Sequence, residues 1–396
     1  MSQRTRALSF VNYGLIVMTV THVLTHVFGG IHTAIFSLLR EEFSLSLQQL
    51  GIIAAIPPLC QALFTIPTGV LSDRYGSKRM LLTSFTVAIV GALMASRASS
   101  PLMFILAISL VYVNNAIYHP ASYSYTANAF ESKSRPKALG LHGAGGTLGH
   151  ATGPLAVSVL IGVLSLGWRQ VYLILTAPIL LGVLMVLLLK EEPVAPDTVS
   201  EEPRGGDAGG IRSLLTKSMV MFLAFRTLTS MGTSMISSFF ILYLQDIRGL
   251  TLALASFIFS SRQLSGLIAA PVGGFMASRF GEKRWLVWTS AVGYAAFGLS
   301  LFSNNNALFI FLFLLYGFCN TLSMASRTSI LAKLTPVRSR GLGYSIFFLP
   351  TSLVGAAAPA MAGWIATLYG FEMAFYLAIV AFALSWVIMR FMVEVD

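Results

Sequence analysis

Long apolar runs separated by short polar stretches constrain this chain more than any other feature. Each run approaches or exceeds the ~20 residues that a helix needs to cross the ~30 Å hydrocarbon core of a bilayer. Lipid offers the backbone no hydrogen-bond partners, and the runs lack the period-two alternation of barrel strands, so helices are favoured. The sequence therefore predicts an all-α membrane protein with twelve transmembrane helices. These helices, called spans 1 to 12, are placed at about residues 10–39, 47–71, 80–97, 101–130, 136–165, 168–190, 218–247, 252–278, 285–303, 306–332, 340–368 and 371–392.

Charge is scarce and largely confined to loops. Only 10% of the residues are charged, whereas soluble domains carry about 25%. The net charge of +11 would suit nucleic acid, but the basic residues sit in short loops, as membrane topology requires. We therefore expect a lipid bilayer and no nucleic acid as partner. Cys60 and Cys319 fall in mid-span, which argues against a disulfide framework.

The distribution of lysine and arginine sets the expected orientation. Nineteen of these residues fall on one side of the membrane, four on the other and three within spans. Because positively charged loops stay in the cytoplasm, both termini are predicted to be cytoplasmic in a multi-pass protein of the cell inner (plasma) membrane. The apolar run after the basic N-terminus is too long for a signal peptide and is interpreted as an uncleaved first helix.

The chain contains an internal repeat. The stretch Gly69–Arg79 returns as Gly274–Arg284, with its Gly, Arg, aromatic, Gly and Lys-Arg positions kept. Such a repeat predicts two parallel six-helix halves with a substrate site between them. Residues 191–217 contain Glu-Glu-Pro twice and several glycines, which is typical of a flexible linker. The predicted division is an N-terminal bundle at 1–190, a cytoplasmic linker at 191–217 and a C-terminal bundle at 218–396.

The repeated loop resembles the loop signature of the major facilitator superfamily, and the similarity covers the whole chain. The resemblance implies the major facilitator fold, with two pseudo-symmetric six-helix bundles, and secondary transport rather than catalysis. It also implies that Asp73 locks the cytoplasmic ends of the halves by facing the positive end of span 11. A bare tight basic turn is the alternative. The implied gating residues of the loop are Gly69, Asp73, Arg74, Gly76 and Arg79.

Span 5 carries a second family signal. Gly140, Gly149, Gly153 and Pro154 keep the spacing of a motif associated with the antiporter branch. Small residues let neighbouring helices approach closely, and proline bends a helix, so Gly149, Gly153 and Pro154 join the implied gating residues. The trailing glycine pair of that motif is missing. The pattern resembles the fosmidomycin-resistance branch of exporters in the stretches Tyr118-His119-Pro120, Leu141-His142-Gly143 and Gly145-Gly146.

Three arginines, Arg226, Arg262 and Arg327, lie within spans, whereas no Asp or Glu lies in the middle of one. Charges inside a membrane are costly and usually face the bundle interior. Because these cations lack carboxylate partners, we expect a bound anion, and guanidinium pairs well with carboxylate, phosphonate or sulfate. The alternative, less favoured for the deeper Arg262 than for Arg226 and Arg327, is snorkelling to the surface or pairing with loop acids.

The first half offers histidines instead. His22 and His26 lie one turn apart on span 1, and Asn115, His119 and Tyr123 form a stripe on span 4. We expect these five residues to contribute to substrate binding with the three arginines. Since histidine exchanges protons near neutral pH, the three histidines are also the candidates for proton coupling, and interhelical hydrogen bonding is the alternative. No metal is expected, because no Cys or carboxylate stands near to complete a site.

These observations predict a monomeric secondary transporter that moves a small organic anion or drug by proton-coupled export. No Walker motif is present, so neither ATP nor another cofactor is expected. One alternative is an uptake carrier for an anionic nutrient. The other, of a different class, is a metal-dependent membrane enzyme or sensor that uses the intramembrane histidines.

Overall fold

The structure is a computed structural model that describes residues 12–130, 135–189, 215–335 and 340–395. Most of the predicted linker and the basic N-terminus lie outside these ranges. Side chains are described throughout them except at Asp73, Ala127, Arg135, Pro136, Ala332, residues 340–349 and Thr351.

Every regular element in the described part of the chain is a helix, and the predicted fold class is confirmed. Among the described residues, eleven helical stretches are long and apolar enough to cross a membrane. The helix Glu282–Leu301, at the position of predicted span 9, begins with three charged residues and is not among these eleven. In span order, the helices are Tyr13–His26, Ile31–Ala34 and Phe36–Phe43 (span 1), Leu47–Tyr75, Ser77–Ala95, Pro101–Asn128, Arg135–Ala156 with a π-helical continuation Val157–Val163 (span 5), Trp168–Leu187, Lys217–Asp246, Leu252–Leu264 and Gly266–Phe280 (span 8), Glu282–Leu301, Asn306–Leu322 and Met324–Leu334 (span 10), Arg340–Tyr369 and Phe371–Phe391.

Side-chain caps fix where several helices begin. Ser100, Thr216, Thr251 and Asn305 each accept a hydrogen bond from the backbone N–H three residues later. Such caps satisfy an otherwise orphaned N–H and stabilise a helix by about 1 kcal/mol. Spans 4, 7, 8 and 10 therefore start at defined positions at the membrane boundary.

The first predicted span, at about residues 10–39, is present but is not one continuous helix. Span 1 stops at His26 and resumes at Ile31, because Gly30 adopts a left-handed conformation with φ +75°. Spans 8 and 10 are interrupted as well, at Ser265 and Ser323. Interruptions of this kind are typical of transporter helices that line a binding site.

The chain divides into two compact units. The first comprises Met1–Leu38 and Ile56–Glu202, and the second comprises Leu39–Ala55 and Pro203–Asp396. Arg40 joins the second unit through a bidentate ion pair with Asp246, at 2.5 and 2.9 Å. The predicted boundary within the linker stays a prediction.

The repeated basic loop has the same geometry in both units. Gly76 and Gly281 have φ of +80° and +85°, which disfavours any residue with a Cβ. The lysine two residues later donates to the end of the last helix of its own unit, from Lys78 Nζ to Leu189 O and from Lys283 Nζ to Val393 O, each at 2.6 Å. The repeated motif thus fastens a turn to a helix end in each unit.

Candidate functional site: a histidine cluster and an arginine cluster

Five of the six histidines form one cluster in the first unit. The rings of His22 and His142 stack with centroids 4.1 Å apart, and those of His26 and His150 stack at 3.9 Å. His119 lies 5.3 Å from His22 and 5.1 Å from His26. The structure therefore brings together the three predicted histidines and adds two from span 5.

Hydrogen bonds fix the tautomers of two rings. His22 Nδ1 lies 2.7 Å from the His142 carbonyl oxygen, and His142 Nδ1 lies 3.0 Å from the Met18 carbonyl oxygen. A carbonyl oxygen only accepts, so both Nδ1 atoms carry the hydrogen. The Nε2 atom of neutral His22 is consequently free to accept a proton. In His26 and His119, Nδ1 is buried and has no hydrogen-bond partner among the described residues.

Glycines on span 5 create the space that lets this cluster form. A methyl group added at Gly146 would lie 2.7 Å from the His22 ring, and one at Gly149 would lie 2.5 Å from the Val23 carbonyl oxygen and 2.8 Å from His26 Cβ. Ordinary carbon contacts start near 3.4 Å. Spans 1 and 5 therefore approach closely because these positions lack side chains.

The ring nitrogens also bear on metal binding. One nitrogen from each of His22, His26 and His119 lies within 4.8 Å of the others. His119 thus supplies a third possible ligand beside the pair on span 1. Zinc sites with three histidines have a water or substrate in the fourth position. No Cys, Asp or Glu joins these three in the part of the chain that the structure describes.

Two other predicted binding residues differ in placement. The Tyr123 ring lies 6.1 Å from His119 and 5.0 Å from His142, at the edge of the cluster. Asn115 instead contacts its neighbour Asn114 at 3.5 Å. His32 is separate from the cluster, with its ring 5.5 Å from that of Tyr112.

Arg262 on span 8 is buried in the second unit. Its side chain is only 7% exposed, and its guanidinium carbon lies 5.1 Å from the Phe259 ring and 5.7 Å from the Phe313 ring. Among the described residues, no hydrogen bond or ion pair reaches this guanidinium, and Nε is buried without a partner. Gly317 makes room for the side chain, since a methyl group there would overlap Arg262 Cγ.

Arg327 lies beside the interruption of span 10. It donates from Nη2 to Asn320 Oδ1 at 2.5 Å, whereas its Nε is buried without a partner among the described residues. Because Asn320 lies near the middle of the span, the side chain runs inward, opposite to snorkelling. Arg226 on span 7 is partly buried.

Two loop acids are engaged elsewhere. Asp246 pairs with Arg40, and Glu282 pairs with Lys333 at 3.1 Å. Neither pair involves the intramembrane arginines. These ion pairs therefore give no support to neutralisation of Arg262 or Arg327 by loop acids.

The predicted gating residues fall into two groups. Gly153 on span 5 faces the Gly29 carbonyl oxygen, and Pro154 packs against Gly30, just before the helix changes to π geometry. In the loop, Gly69 faces open space among the described atoms, and Arg74 and Arg79 are exposed. The Asp73 side chain lies outside the described residues, so its locking role stays a prediction.

Comparison with known proteins identifies the family. Residues 18–260 and 222–396 match the model described as Major Facilitator Superfamily. The fosmidomycin resistance protein of Escherichia coli (strain K12) is 25% identical over 72% of this chain and 69% of its own length. Multidrug resistance protein MdtG of Proteus mirabilis is 28% identical over 89% of this chain and 88% of its own. The resemblance to an efflux branch is thereby confirmed.

Solved structures support the same fold. A bacterial homologue of the human lysosomal transporter Spinster, in an inward-facing and occupied conformation, superposes with a TM-score of 0.82 at 16% identity, over 98% of this chain and 97% of that one. A mutant of the nucleoside transporter NupG superposes with a TM-score of 0.77 at 17% identity, over 97% and 100%. The chain belongs to the major facilitator superfamily and is a multi-pass membrane transporter of small solutes, not an enzyme.

Proposed function

We propose that this transporter exports a small organic anion in exchange for protons, by alternating access. Arg262 carries the proposal, because its guanidinium is buried beside two aromatic rings and pairs with no acid in the described part of the chain, whereas a membrane interior demands a charged partner. An anionic solute supplies that partner through paired hydrogen bonds. Arg327 offers a second donor, since its Nε is also unpartnered among the described residues.

The names of relatives support two parts of the proposal, export and an anionic solute. One is named for fosmidomycin resistance and another for multidrug resistance, which favours export. A third, the probable nitrate/nitrite antiporter NarK1 of Thermus thermophilus, is 26% identical over 66% of this chain and 60% of its own, and its name specifies anions.

The histidine cluster is the proposed proton carrier. No carboxylate lies in the middle of a span, and imidazole exchanges protons near neutral pH. Two charged rings 4–5 Å apart would repel by about 3–4 kcal/mol at an effective dielectric constant of 20. The cluster therefore holds one proton at a time and passes it between neighbouring rings.

Ligand-induced thermal stabilisation tests the anion site. Purified protein is screened against carboxylates, phosphonates and sulfates, and a bound anion should raise the melting temperature by mass action. Arg262→Ala should abolish the shift, whereas Arg97→Ala, which removes an exposed arginine, should retain it. A neutral or cationic ligand whose shift survives Arg262→Ala would overturn the anion proposal.

Proteoliposomes with an imposed pH gradient test the coupling. Uptake into inverted vesicles should follow the gradient in wild type and in His32→Gln, since His32 lies outside the cluster. His22→Gln and His119→Gln should transport without accumulation. Gradient-driven accumulation that persists in both cluster variants would refute the role of the histidines.

The predicted alternatives are separated by simple measurements. An uptake carrier would support growth on the anion, whereas an exporter would raise the resistance of the cell to it. A metal sensor would copurify with stoichiometric metal on His22, His26 and His119.

A further inference from the structure

A basic, aromatic pocket lies between spans 9 and 12, and none of the histidines or intramembrane arginines described above is among its lining residues. Its volume is about 660 Å³, and its lining includes Lys283, Arg284 and Arg390 together with Trp288 and Trp386. It lies at the end of these spans that the charge distribution predicts to be cytoplasmic. Tryptophan and basic residues together are typical of the headgroup level of a membrane.

The walls of the pocket are held in place by hydrogen bonds. Trp386 Nε1 donates to the Val287 carbonyl oxygen at 3.0 Å, which ties span 12 to span 9. Lys283 Nζ donates to the Val393 carbonyl oxygen at 2.6 Å. These contacts preorganise the cavity, so a ligand need not order it.

Two of the basic groups are available to a ligand. Arg284 and Arg390 are exposed, and neither forms an ion pair with an acid among the described residues. Trp288 beside them is 63% exposed, on a helix that faces the membrane. The pocket therefore offers two guanidinium groups beside an indole ring accessible from the bilayer.

The other half of the molecule shows that the fold does not require this pocket. The two lysine hydrogen bonds mark equivalent positions in the sequences of the two units. Counted from these positions, Trp288 corresponds to Thr83, Trp386 to Gly182 and Arg390 to Val186. The first unit keeps the lysine bond but lacks both tryptophans and one arginine. The repeated basic loop accounts for the lysine hydrogen bond that both units share. It does not account for Trp288, Trp386 and Arg390, which only the second unit has.

We propose that this pocket binds the phosphate headgroup of an anionic lipid from the surrounding leaflet. Basic pockets between transmembrane helices suit such headgroups. Guanidinium groups chelate phosphate oxygens in pairs, and the exposed indole of Trp288 packs against the glycerol and upper acyl region. The lipid site does not involve the transported solute. The lipid proposal can therefore be tested independently of the transport proposal.

Native mass spectrometry of protein from nanodiscs tests the inference. Nanodiscs of phosphatidylcholine with about 20% phosphatidylglycerol or cardiolipin should leave one anionic lipid on the protein. Arg284→Ala with Arg390→Ala should weaken retention about twenty-five-fold, because each basic group near a membrane surface contributes about fivefold in affinity. Arg79→Ala, the counterpart of Arg284 in the first unit, should retain the lipid.

Further arms separate the possible sources of phosphate. Inorganic phosphate at millimolar concentration in detergent should give no thermal shift, whereas short-chain phosphatidylglycerol should give one that is lost in Trp288→Ala and in the double arginine variant. Equal shifts with both ligands would assign the pocket to free phosphate and overturn the proposal. Equal lipid retention by wild type and by the folded double variant, as judged by an unchanged melting temperature without lipid, would do the same.

Discussion

Adding one methyl group at different glycines of span 5 should give opposite effects. At Gly149 the new Cβ would lie 2.5 Å from the Val23 carbonyl oxygen, against about 3.4 Å for a close ordinary contact. Spans 1 and 5 must then part by about 1 Å, and such overpacking costs about 1–3 kcal/mol. At Gly143, six residues earlier on the same helix, no described atom from a neighbouring element lies within 4 Å.

Gly143→Ala isolates the backbone effect of the same change. Alanine is preferred over glycine inside a helix by about 0.5–1 kcal/mol, so this variant should be slightly stabilised. Because Gly149→Ala gains the same backbone term, the two variants should differ only by the overpacking cost, about 1–3 kcal/mol in the free energy of unfolding. Thermal unfolding of the purified proteins in one detergent should rank Gly143→Ala at or above wild type and Gly149→Ala below it.

Gly146→Ala separates packing from chemistry, because its methyl group meets the His22 side chain at 2.7 Å rather than a backbone atom. We expect a smaller loss of melting temperature than for Gly149→Ala but a larger loss of proton-driven transport. If Gly149→Ala melts as high as Gly143→Ala, the close approach of spans 1 and 5 is wrong, and the geometry of the histidine cluster falls with it.

Three further predictions concern single contacts. Gly317→Ala should displace Arg262 and remove the anion-induced thermal shift as Arg262→Ala does; an unchanged shift would show that the arginine is not positioned by this glycine. Lys78→Met should lower stability by about 1 kcal/mol through loss of one helix-end hydrogen bond, and chemical denaturation in detergent would measure it. Asp246→Asn should cost at most about 1 kcal/mol, because its pair with Arg40 is partly exposed; a loss that does not shrink at high salt would contradict this.

Hydropathy and the repeated loop predicted the fold class because both depend on local sequence. The bilayer demands about 20 apolar residues per helix wherever they lie, and a glycine with positive φ is needed at each copy of the turn, as Gly76 and Gly281 show. The interruptions at Gly30, Ser265 and Ser323 escaped prediction. A hydropathy window averages over them, and small residues are equally common in unbroken transmembrane helices.

The candidate site was predicted only in part, because spacing along one helix can be read from the sequence whereas contacts between helices cannot. His22 and His26 share one helix face by spacing alone, whereas His119 was grouped with them only as a residue of the same expected binding site. His142 and His150 stand eight residues apart on span 5, close to two helical turns, which was a usable signal. Tertiary packing decides which helix His142 and His150 contact, so no local sequence pattern predicts that contact. The same is true of the contact between Gly317 and Arg262.

All six histidines of the sequence belong to the first unit, and five of them share one cluster. Isotopic labelling of histidine would therefore place no probe in the second unit at all. Imidazole nitrogen resonances from the intact transporter would report almost entirely on a single locus, with His32 as an internal reference. Protonation during turnover becomes observable by spectroscopy in the wild-type chain, without any substitution.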